Sequence, residues 1–313
     1  LWKDGYELLS DLGYLWDHPD KGMTARTLAH NLVLIDGKGQ KTKGRGGSFA
    51  FFALSPQLKA MSASSTAYDE ATVYERTVVQ VDHGDLGAYW LDLFRAQGGE
   101  RRDYLFHGPS HNYVLEGAVC PPPDQDNPAA LRDTGASGSW KAVWKISDTY
   151  RFAAYSPGHP DETLLIADEW GQRDSRNADR GATLPYFFRR RTGAQVDAFV
   201  QVFAGFEEGR ELVQSVKVTT PRDHAVIVEI THAGGRDIVL FGDGSRLELT
   251  SVPVVSDGIL AVVAGLPAPG QAPTTTQPTA LLLGGAELQA PGVTLSNSRA
   301  DWSGTIAAQV SQD

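Results

Sequence analysis

Cysteine is almost absent from this sequence. Cys120 stands alone among 313 residues, so no disulfide can form within the chain and cysteine usage does not indicate a redox compartment. Basic residues are also in deficit, because 28 Lys and Arg face 38 Asp and Glu and give a net charge of −10 at pH 7. This balance argues against non-specific binding to nucleic acid, although it leaves room for a local basic cluster that attracts an acidic substrate. No apolar run approaches the roughly 20 residues that a membrane-spanning helix needs.

Familiar catalytic and nucleotide-binding motifs are absent as well. The sequence contains no nucleophile elbow, no Walker loop, no dinucleotide fingerprint and no paired cysteine cluster. It begins with Leu1–Asp4, with neither an initiator methionine nor a signal peptide. We therefore expect a fragment or a processed product, with any export signal lying upstream.

Strand patterns dominate what is present. Short runs rich in Val, Ile, Phe, Tyr and Trp recur along the chain, and many alternate apolar with polar residues. The predicted strands include Thr77–Val81, Ala88–Arg95, Trp140–Ile146, Arg151–Tyr155, Ala198–Phe203, Leu212–Thr219, Ala225–Ile230, Asp237–Phe241, Arg246–Ser251 and Ile259–Ala264. No segment keeps a helical period for more than two turns, and Ser55–Ser64 fits either a short helix or a strand.

The spacing of these strands predicts an all-β fold. The 33 glycines and 17 prolines supply turns between short strands, as antiparallel sheets require. We expect a large antiparallel β-sandwich over residues 1–220, followed by a smaller β domain over residues 221–313.

The first third of the chain carries four short motifs in a definite order. They are Asp-x-Gly at Asp11–Gly13, Arg-x-x-x-His-Asn at Arg26–Asn31, Phe-Arg-x-x-Gly-Gly at Phe94–Gly99 and Asp-Tyr-x-x-His-Gly at Asp103–Gly108. This series resembles the β-sandwich region of the heparinase II/III-like polysaccharide lyases, a family that includes alginate and glycosaminoglycan lyases. Each motif alone is weak, whereas their order and spacing together are specific. The resemblance covers about Gly5–Asn112.

The resemblance implies an enzyme that cleaves a uronic-acid-containing polysaccharide by β-elimination. It also implies an N-terminal α/α-toroid that precedes the sandwich and supplies a catalytic Tyr together with Asn or His. That region is not in this sequence, so the general base and the general acid are expected upstream. From the family we further expect a secreted or periplasmic bacterial protein with an acidic polysaccharide as its partner.

Some family members bind zinc in the sandwich through an upstream His, the Asp of Asp-x-Gly and the His of His-Asn. The matching residues in this chain are Asp11 and His30, and an Asp with two His is an ordinary zinc ligand set. The resemblance therefore implies a structural zinc ion on Asp11, His30 and a third ligand upstream. The other interpretation is that Asp11 caps a turn and His30 is a hydrogen-bonded core histidine.

Two arginines are candidates for contact with an acidic sugar. Arg26 either faces such a sugar or satisfies backbone carbonyls between strands. Arg102 stands where family members often carry a His before the Asp-Tyr pair. An arginine binds a carboxylate, even bidentately, but it neither acts as a base nor ligates a metal.

His107 is the third candidate for substrate contact. If Tyr104–Phe106 form a strand, alternation places His107 and Asp103 on one face, so His107 is either a cleft residue or a rim histidine bonded to Asp103. The run Arg189–Arg191 is either a basic patch for a polyanion or a solvated charged face. His83 lies in a turn and is expected to be solvated.

Three classes of protein remain open on the sequence alone. The first is the lyase described above, and the second is a non-catalytic carbohydrate-binding β-sandwich of a secreted or cell-surface protein. The third is a structural β-rich domain of a cell-surface protein. Residues upstream of Leu1 that encode a helical toroid would favour the enzyme over the other two.

Overall fold

The computed structural model describes residues 1–13, 15, 18–268, 270 and 278–296, together with the backbone of 305–309. Within these residues the regular elements are β-strands and three 3-10 helices, at Lys21–Met23, Thr27–Ala29 and Gly84–Leu86. No helix in the described part of the chain is long and apolar enough to span a membrane. The prediction of an all-β fold is confirmed.

The strands are numbered in chain order. The first twelve are β1 Trp2–Lys3, β2 Tyr6–Glu7, β3 Leu32–Ile35, β4 Gly47–Leu54, β5 Leu58–Ser65, β6 Val73–Asp82, β7 Ala88–Gln97, β8 Arg101–His107, β9 Tyr113–Glu116, β10 Arg132–Asp133, β11 Trp140–Lys145 and β12 Tyr150–Ser156. The others are β13 Thr163–Trp170, β14 Thr183–Thr192, β15 Asp197–Glu207, β16 Val213–Arg222, β17 Ala225–His232, β18 Gly235–Phe241, β19 Leu247–Leu249, β20 Val254–Ser256, β21 Leu260–Leu266, β22 Thr279–Leu283, β23 Glu287–Ala290, β24 Val293–Ser296 and β25 Thr305–Gln309. The open choice at Ser55–Ser64 resolves as the strand β5.

The five-stranded sheet, in the order β10-β13-β14-β8-β3, holds the predicted site residues Arg102 and His107 on β8. Its strands pair antiparallel, and side chains along β8 alternate between two apolar layers. Tyr104 and Phe106 join the large aromatic core, whereas Leu105 joins a second cluster with Leu12, Ala29 and Tyr186. Both faces of this sheet are therefore buried, and part of the outer cover comes from the segment around Leu12 and Ala29.

The aromatic core contains residues of the five-stranded sheet and of an eight-stranded sheet ordered β4-β5-β6-β7-β15-β12-β11-β9. Phe106 and Phe187 stack with centroids 4.9 Å apart, and Trp144 meets Phe187 edge to face at 5.4 Å. Offset and edge-on aromatic pairs of this kind contribute about 0.5–1.5 kcal/mol each beyond the burial of their area. Packing between two sheets in this way is the expected β-sandwich.

The chain divides into two compact units. Unit 1 comprises Leu1–Ala50, Ala63–Thr77 and Asp92–Glu207, and unit 2 comprises Phe51–Ser62, Val78–Leu91 and Glu208–Asp313. These units are not contiguous along the chain, so the predicted single boundary near residue 220 stays a prediction.

Unit 2 has a core of its own between two sheets. One sheet has the order β16-β17-β18-β21-β22-β25 and the other the order β19-β20-β23-β24. Leu240 and Val263 of the first sheet pack in one apolar cluster with Leu249, Leu288 and Leu295 of the second. The period-2 pattern of these strands places their aliphatic side chains inward, which explains the separate core.

Two of the motif glycines are dictated by packing. Gly98 has a φ of +120°, and an added Cβ would lie 1.9 Å from the carbonyl oxygen of Glu70. At Gly108 an added Cβ would lie 2.7 Å from the indole ring of Trp144. Any larger residue would collide at both positions, so these parts of the motifs encode the fold.

Candidate functional site

The Asp-x-Gly motif forms a tight turn that aims a carboxylate at the second motif. Asp11 Oδ1 accepts a hydrogen bond from the N–H of Gly13 at 3.3 Å, and Gly13 has a φ of +70°. The other oxygen, Oδ2, lies 3.1 Å from Nδ1 of His30. Arg173 supports this turn, because it binds the carboxylate of Glu7 and donates to the carbonyl of Asp11. Asp11 therefore uses one carboxylate oxygen to close the turn and the other to contact His30.

The Asp11–His30 pair faces solvent. Its side chains retain 53% and 41% of their exposure, respectively, and His30 directly follows the 3-10 helix Thr27–Ala29. Two ligand atoms 3.1 Å apart suit adjacent positions around one ion, but two ligands do not make a site. Among the described residues no third His, Cys, Asp or Glu completes this pair. The predicted zinc site therefore fits the pair only with a ligand from outside the described chain.

Asn31 joins the motifs to one another. Its side-chain N–H donates to the Ser10 carbonyl at 2.7 Å, and its side-chain oxygen accepts the backbone N–H of His107 at 2.8 Å. The carbonyl of Asn31 in turn accepts from Arg76 at 2.8 Å. These bonds hold three segments that are distant in sequence, so the role of Asn31 is structural.

His107 lies on the face of β8 that the Leu12–Ala29 layer covers. Its side chain is fully buried, stacks on Tyr186 with ring centroids 3.8 Å apart, and places Nε2 3.0 Å from the Leu28 carbonyl. A carbonyl only accepts, so Nε2 carries the proton and Nδ1 is left as a buried acceptor without a partner. Burial lowers the pKa of His107 to about 4.

His107 is therefore a neutral histidine at the base of this site. Asp103 does not bond to it, since Nε2 of His107 faces Leu28 and Nδ1 has no partner in the described part of the chain, and the two carboxylate oxygens of Asp103 accept from Arg190 at 2.6 and 3.1 Å. Contact between His107 and a sugar stays a prediction, since the ring has no exposed surface in this structure.

Arg102 is buried, and its Nε and Nη1 bind protein partners whereas Nη2 has none among the described residues. Nε donates to Asp197 at 2.5 Å and Nη1 donates to the Gly193 carbonyl at 2.7 Å, and the side chain is 0% exposed. The guanidinium thus stabilises the connection between β8 and the start of β15. Its predicted contact with substrate stays a prediction that this geometry does not support.

Arg26 is exposed at the start of the 3-10 helix that ends before His30. Burial raises the pKa of Glu169 on β13, and the positive charge of Arg26 opposes that shift. Arg26 therefore lies within electrostatic reach of Glu169, which the sequence analysis did not single out. Arg26 and His30 flank the same 3-10 helix, and His30 contacts Asp11.

The run Arg189–Arg191 is neither a basic patch nor a solvated face. Arg189 and Arg191 are 0% and 4% exposed, and both bind the carboxylate of Glu162. Burial alone raises the pKa of Glu162, but the two guanidinium groups outweigh it and hold that pKa below its ordinary value. The alternation of side chains along a strand correctly predicts that Arg189 and Arg191 share one face. Their burial is seen only in the packed structure.

Unit 1 also contains a cavity of about 660 Å³ that sequence reasoning missed. Its wall includes Tyr113, Arg132, Asp168 and Pro121–Pro123. Arg132 donates to both oxygens of Asp168 at 2.9 Å, so these charges neutralise each other. The cavity is large enough for a sugar ring, but its ion pair offers no net charge to an acidic one.

Comparison with solved structures finds the same fold in a heparan sulfate lyase and in heparinase III. Heparan sulfate lyase HepC from Pedobacter heparinus matches with a TM-score of 0.54 and 14% identity, over 75% of this chain and 34% of that protein. The heparinase III BT4657 gene product matches with a TM-score of 0.58 and 12% identity, over 77% of this chain and 35% of that protein. A further heparinase III structure has a TM-score of 0.51 at 12% identity.

The motifs resemble those of the heparinase II/III-like β-sandwich region, and these matches confirm that resemblance for the fold. The chain spans about a third of the length of the matched proteins and corresponds to their C-terminal part. No protein-family model and no curated protein sequence matches the chain. At 12–14% identity the likeness shows the fold alone.

Proposed function

We propose that this chain is the β-sandwich part of a polysaccharide lyase that cleaves a uronic-acid-containing polymer by β-elimination. The observation that carries the proposal is the fold, which similar lyases share over about three quarters of the chain. The exposed Asp11–His30 pair and Arg26 support it, because Arg26 and His30 flank one 3-10 helix and the three residues offer metal-binding and carboxylate-binding groups.

The chemistry divides between this chain and the rest of the protein. In β-elimination a base removes the C5 proton of a uronate, an acid protonates the departing O4, and the sugar carboxylate must be neutralised as charge develops. The base and the acid are proposed to lie upstream, in an N-terminal toroid. Arg26 is proposed to bind the sugar carboxylate, since an exposed guanidinium suits that anion.

Asp11 and His30 are proposed to hold a structural zinc ion with a third ligand from the upstream region. His30 would bind through Nδ1, the atom that faces Asp11, and Asp11 through Oδ2. The ion would add positive charge and tie the turn at Gly13 to the segment that covers His107. We further propose a secreted or periplasmic location, where a polymeric substrate is accessible.

The activity is tested on the full-length protein with alginate, heparan sulfate, hyaluronan, chondroitin sulfate and ulvan, by the absorbance of the unsaturated uronate product. We expect a signal with at least one polymer and a fall in kcat/KM of about 10-fold or more in Arg26→Ala, as for a lost charged contact. The matched control is Arg222→Ala, an exposed arginine that pairs with Asp243 in unit 2. Polymer binding without any absorbance would favour the carbohydrate-binding alternative.

The zinc proposal has its own test. Elemental analysis should find less zinc in His30→Ala than in the wild type, because the substitution removes one of the ligands. Equal zinc contents in the two proteins would contradict the assignment of His30.

A further inference from the structure

Unit 2 contains a histidine–carboxylate cluster that neither the motifs nor the fold comparison indicated. Asp237 lies on β18, His232 ends β17 in the same hairpin, and His83 follows β6. Within the described residues this is the one group of three His, Cys, Asp or Glu side chains whose ligand atoms all lie within 4.8 Å of one another. The expectation that His83 is solvated was wrong, since its side chain is only 11% exposed.

The carboxylate of Asp237 is completely buried at the centre of this cluster. Nε2 of His83 lies 2.8 Å from Oδ2, and Nε2 of His232 lies 3.1 Å from Oδ1. Tyr89 also donates to Oδ2, at 2.7 Å, and the N–H of Gly265 donates to Oδ1, at 2.8 Å. Burial raises the pKa of Asp237, but the bonds from His232 and His83 outweigh it and hold that pKa well below its ordinary range.

Asp237 differs from the other buried aspartates in what balances its charge. Three of them are each paired with an arginine: Asp92 with Arg76, Asp103 with Arg190, and Asp197 with Arg102. Within the described chain Asp237 pairs with histidines alone. A buried carboxylate is costly unless a positive charge or a metal ion compensates it.

We propose that His83, His232 and Asp237 bind a divalent transition-metal ion of the zinc class. Two imidazoles and a carboxylate favour such an ion over Mg²⁺ or Ca²⁺, which prefer oxygen ligands. Tetrahedral zinc with bonds of about 2.0–2.1 Å places its ligand atoms about 3.3 Å apart. The 2.8 Å contact joins His83 to Oδ2 and the 3.1 Å contact joins His232 to Oδ1, and the ligand atoms of the three residues all lie within 4.8 Å of one another, so the side chains would have to close on one ion to bind it.

Three hydrogen bonds must change when the ion binds, because the bonds from Nε2 of His83 and of His232 to Asp237 would be replaced and the bond at Nδ1 of His232 would be lost. Nδ1 of His232 accepts the N–H of Gly234 at 3.1 Å, so in this structure the His232 proton is on Nε2. Binding a metal at Nε2 moves that proton to Nδ1, which then faces another donor. The hairpin turn at Gly234 would give up this bond, and the proton of His232 would stay on the same ring, so no net proton is released there.

The test removes the ligand and keeps a hydrogen-bond donor. His83→Gln retains an N–H for Asp237 but offers no imidazole, and His159→Gln, a half-exposed histidine of unit 1, is the matched control. Both changes are made in the full-length protein in a His30→Ala background, so that the proposed Asp11–His30 site does not contribute. Elemental analysis should show about one equivalent of zinc less in His83→Gln than in its control.

A second measurement does not depend on the folding of a variant. The chelator-treated His30→Ala protein is titrated with Co²⁺, and we expect the visible absorption of a tetrahedral N/O site together with a rise in Tm on adding Zn²⁺. Equal zinc in His83→Gln and its control would overturn the proposal. So would the absence of both the Co²⁺ band and the Tm shift.

Discussion

The two histidine–carboxylate clusters of this chain differ chiefly in their exposure to water. Asp11 and His30 in unit 1 keep about half of their side-chain surface exposed, whereas Asp237 and His232 in unit 2 are 0% and 1% exposed. The first pair is incomplete and open to a further ligand. The second cluster has its donors already in place around one carboxylate.

This difference separates two kinds of contribution. An exposed ion pair adds little to stability because water and salt screen it, so Asp11 and His30 are free to serve binding. A buried carboxylate with several donors is costly to disturb, because each partner left behind loses its hydrogen bond. We therefore expect substitutions at the first pair to change ligand binding and those at the second to change the stability of unit 2.

The largest expected difference in the free energy of unfolding is between Asp237→Ala and Asp11→Ala. Removal of Asp237 leaves Tyr89, both histidines and the Gly265 N–H without their acceptor, and should lower the free energy of unfolding by about 3–5 kcal/mol. Asp11→Ala should cost less than about 1 kcal/mol. Urea denaturation measures both, and similar losses in the two variants would break the comparison.

A smaller effect is expected when pH changes the stability of the fold through His107. This histidine is buried, as His232 is, but has no carboxylate partner within the described chain. Burial lowers the pKa of His107 to about 4, below the ordinary value near 6.5, so the fold favours its neutral form. The associated stability is fully present above about pH 6.5 and is lost as pH falls toward 4, by roughly 2–3 kcal/mol.

His107→Gln tests this directly, because glutamine can donate to the Leu28 carbonyl but does not titrate. Denaturation at several pH values should show that stability falls less between about pH 6.5 and 4 in His107→Gln than in the wild type. Identical slopes in the two proteins would show that His107 does not control this range.

The smallest expected difference in the free energy of unfolding is between two tyrosines that each donate to a buried aspartate. Tyr89 donates to Asp237 and Tyr104 donates to Asp92, each at 2.7 Å, but Asp92 also has Arg76. Tyr89→Phe should cost about 2–3 kcal/mol, because Asp237 has no arginine to compensate the lost bond, and Tyr104→Phe about 1–2 kcal/mol. A larger loss in Tyr104→Phe would argue that the histidines already supply a full positive charge.

The four motifs turned out to specify the fold more than the chemistry. Asn31, Gly98 and Gly108 hold backbone segments together or allow their close approach. Arg102 and Asp103 take part in buried ion pairs. Only Asp11, Arg26 and His30 of the motif residues considered for function remain exposed, which is why the family resemblance was easier to establish than an activity.

Local sequence determined the β-structure of this protein, since period-2 alternation and turn residues act over a few positions and need no distant partner. The resemblance of the motifs to a known family made Asp11 and His30 candidates for one site. Only the tertiary structure decided which charges are buried, because Arg102, Arg189 and Arg191 meet their carboxylates across strands far apart in sequence. The same holds for His83 and Asp237, which are 154 residues apart and meet only when the sheet of unit 2 has formed.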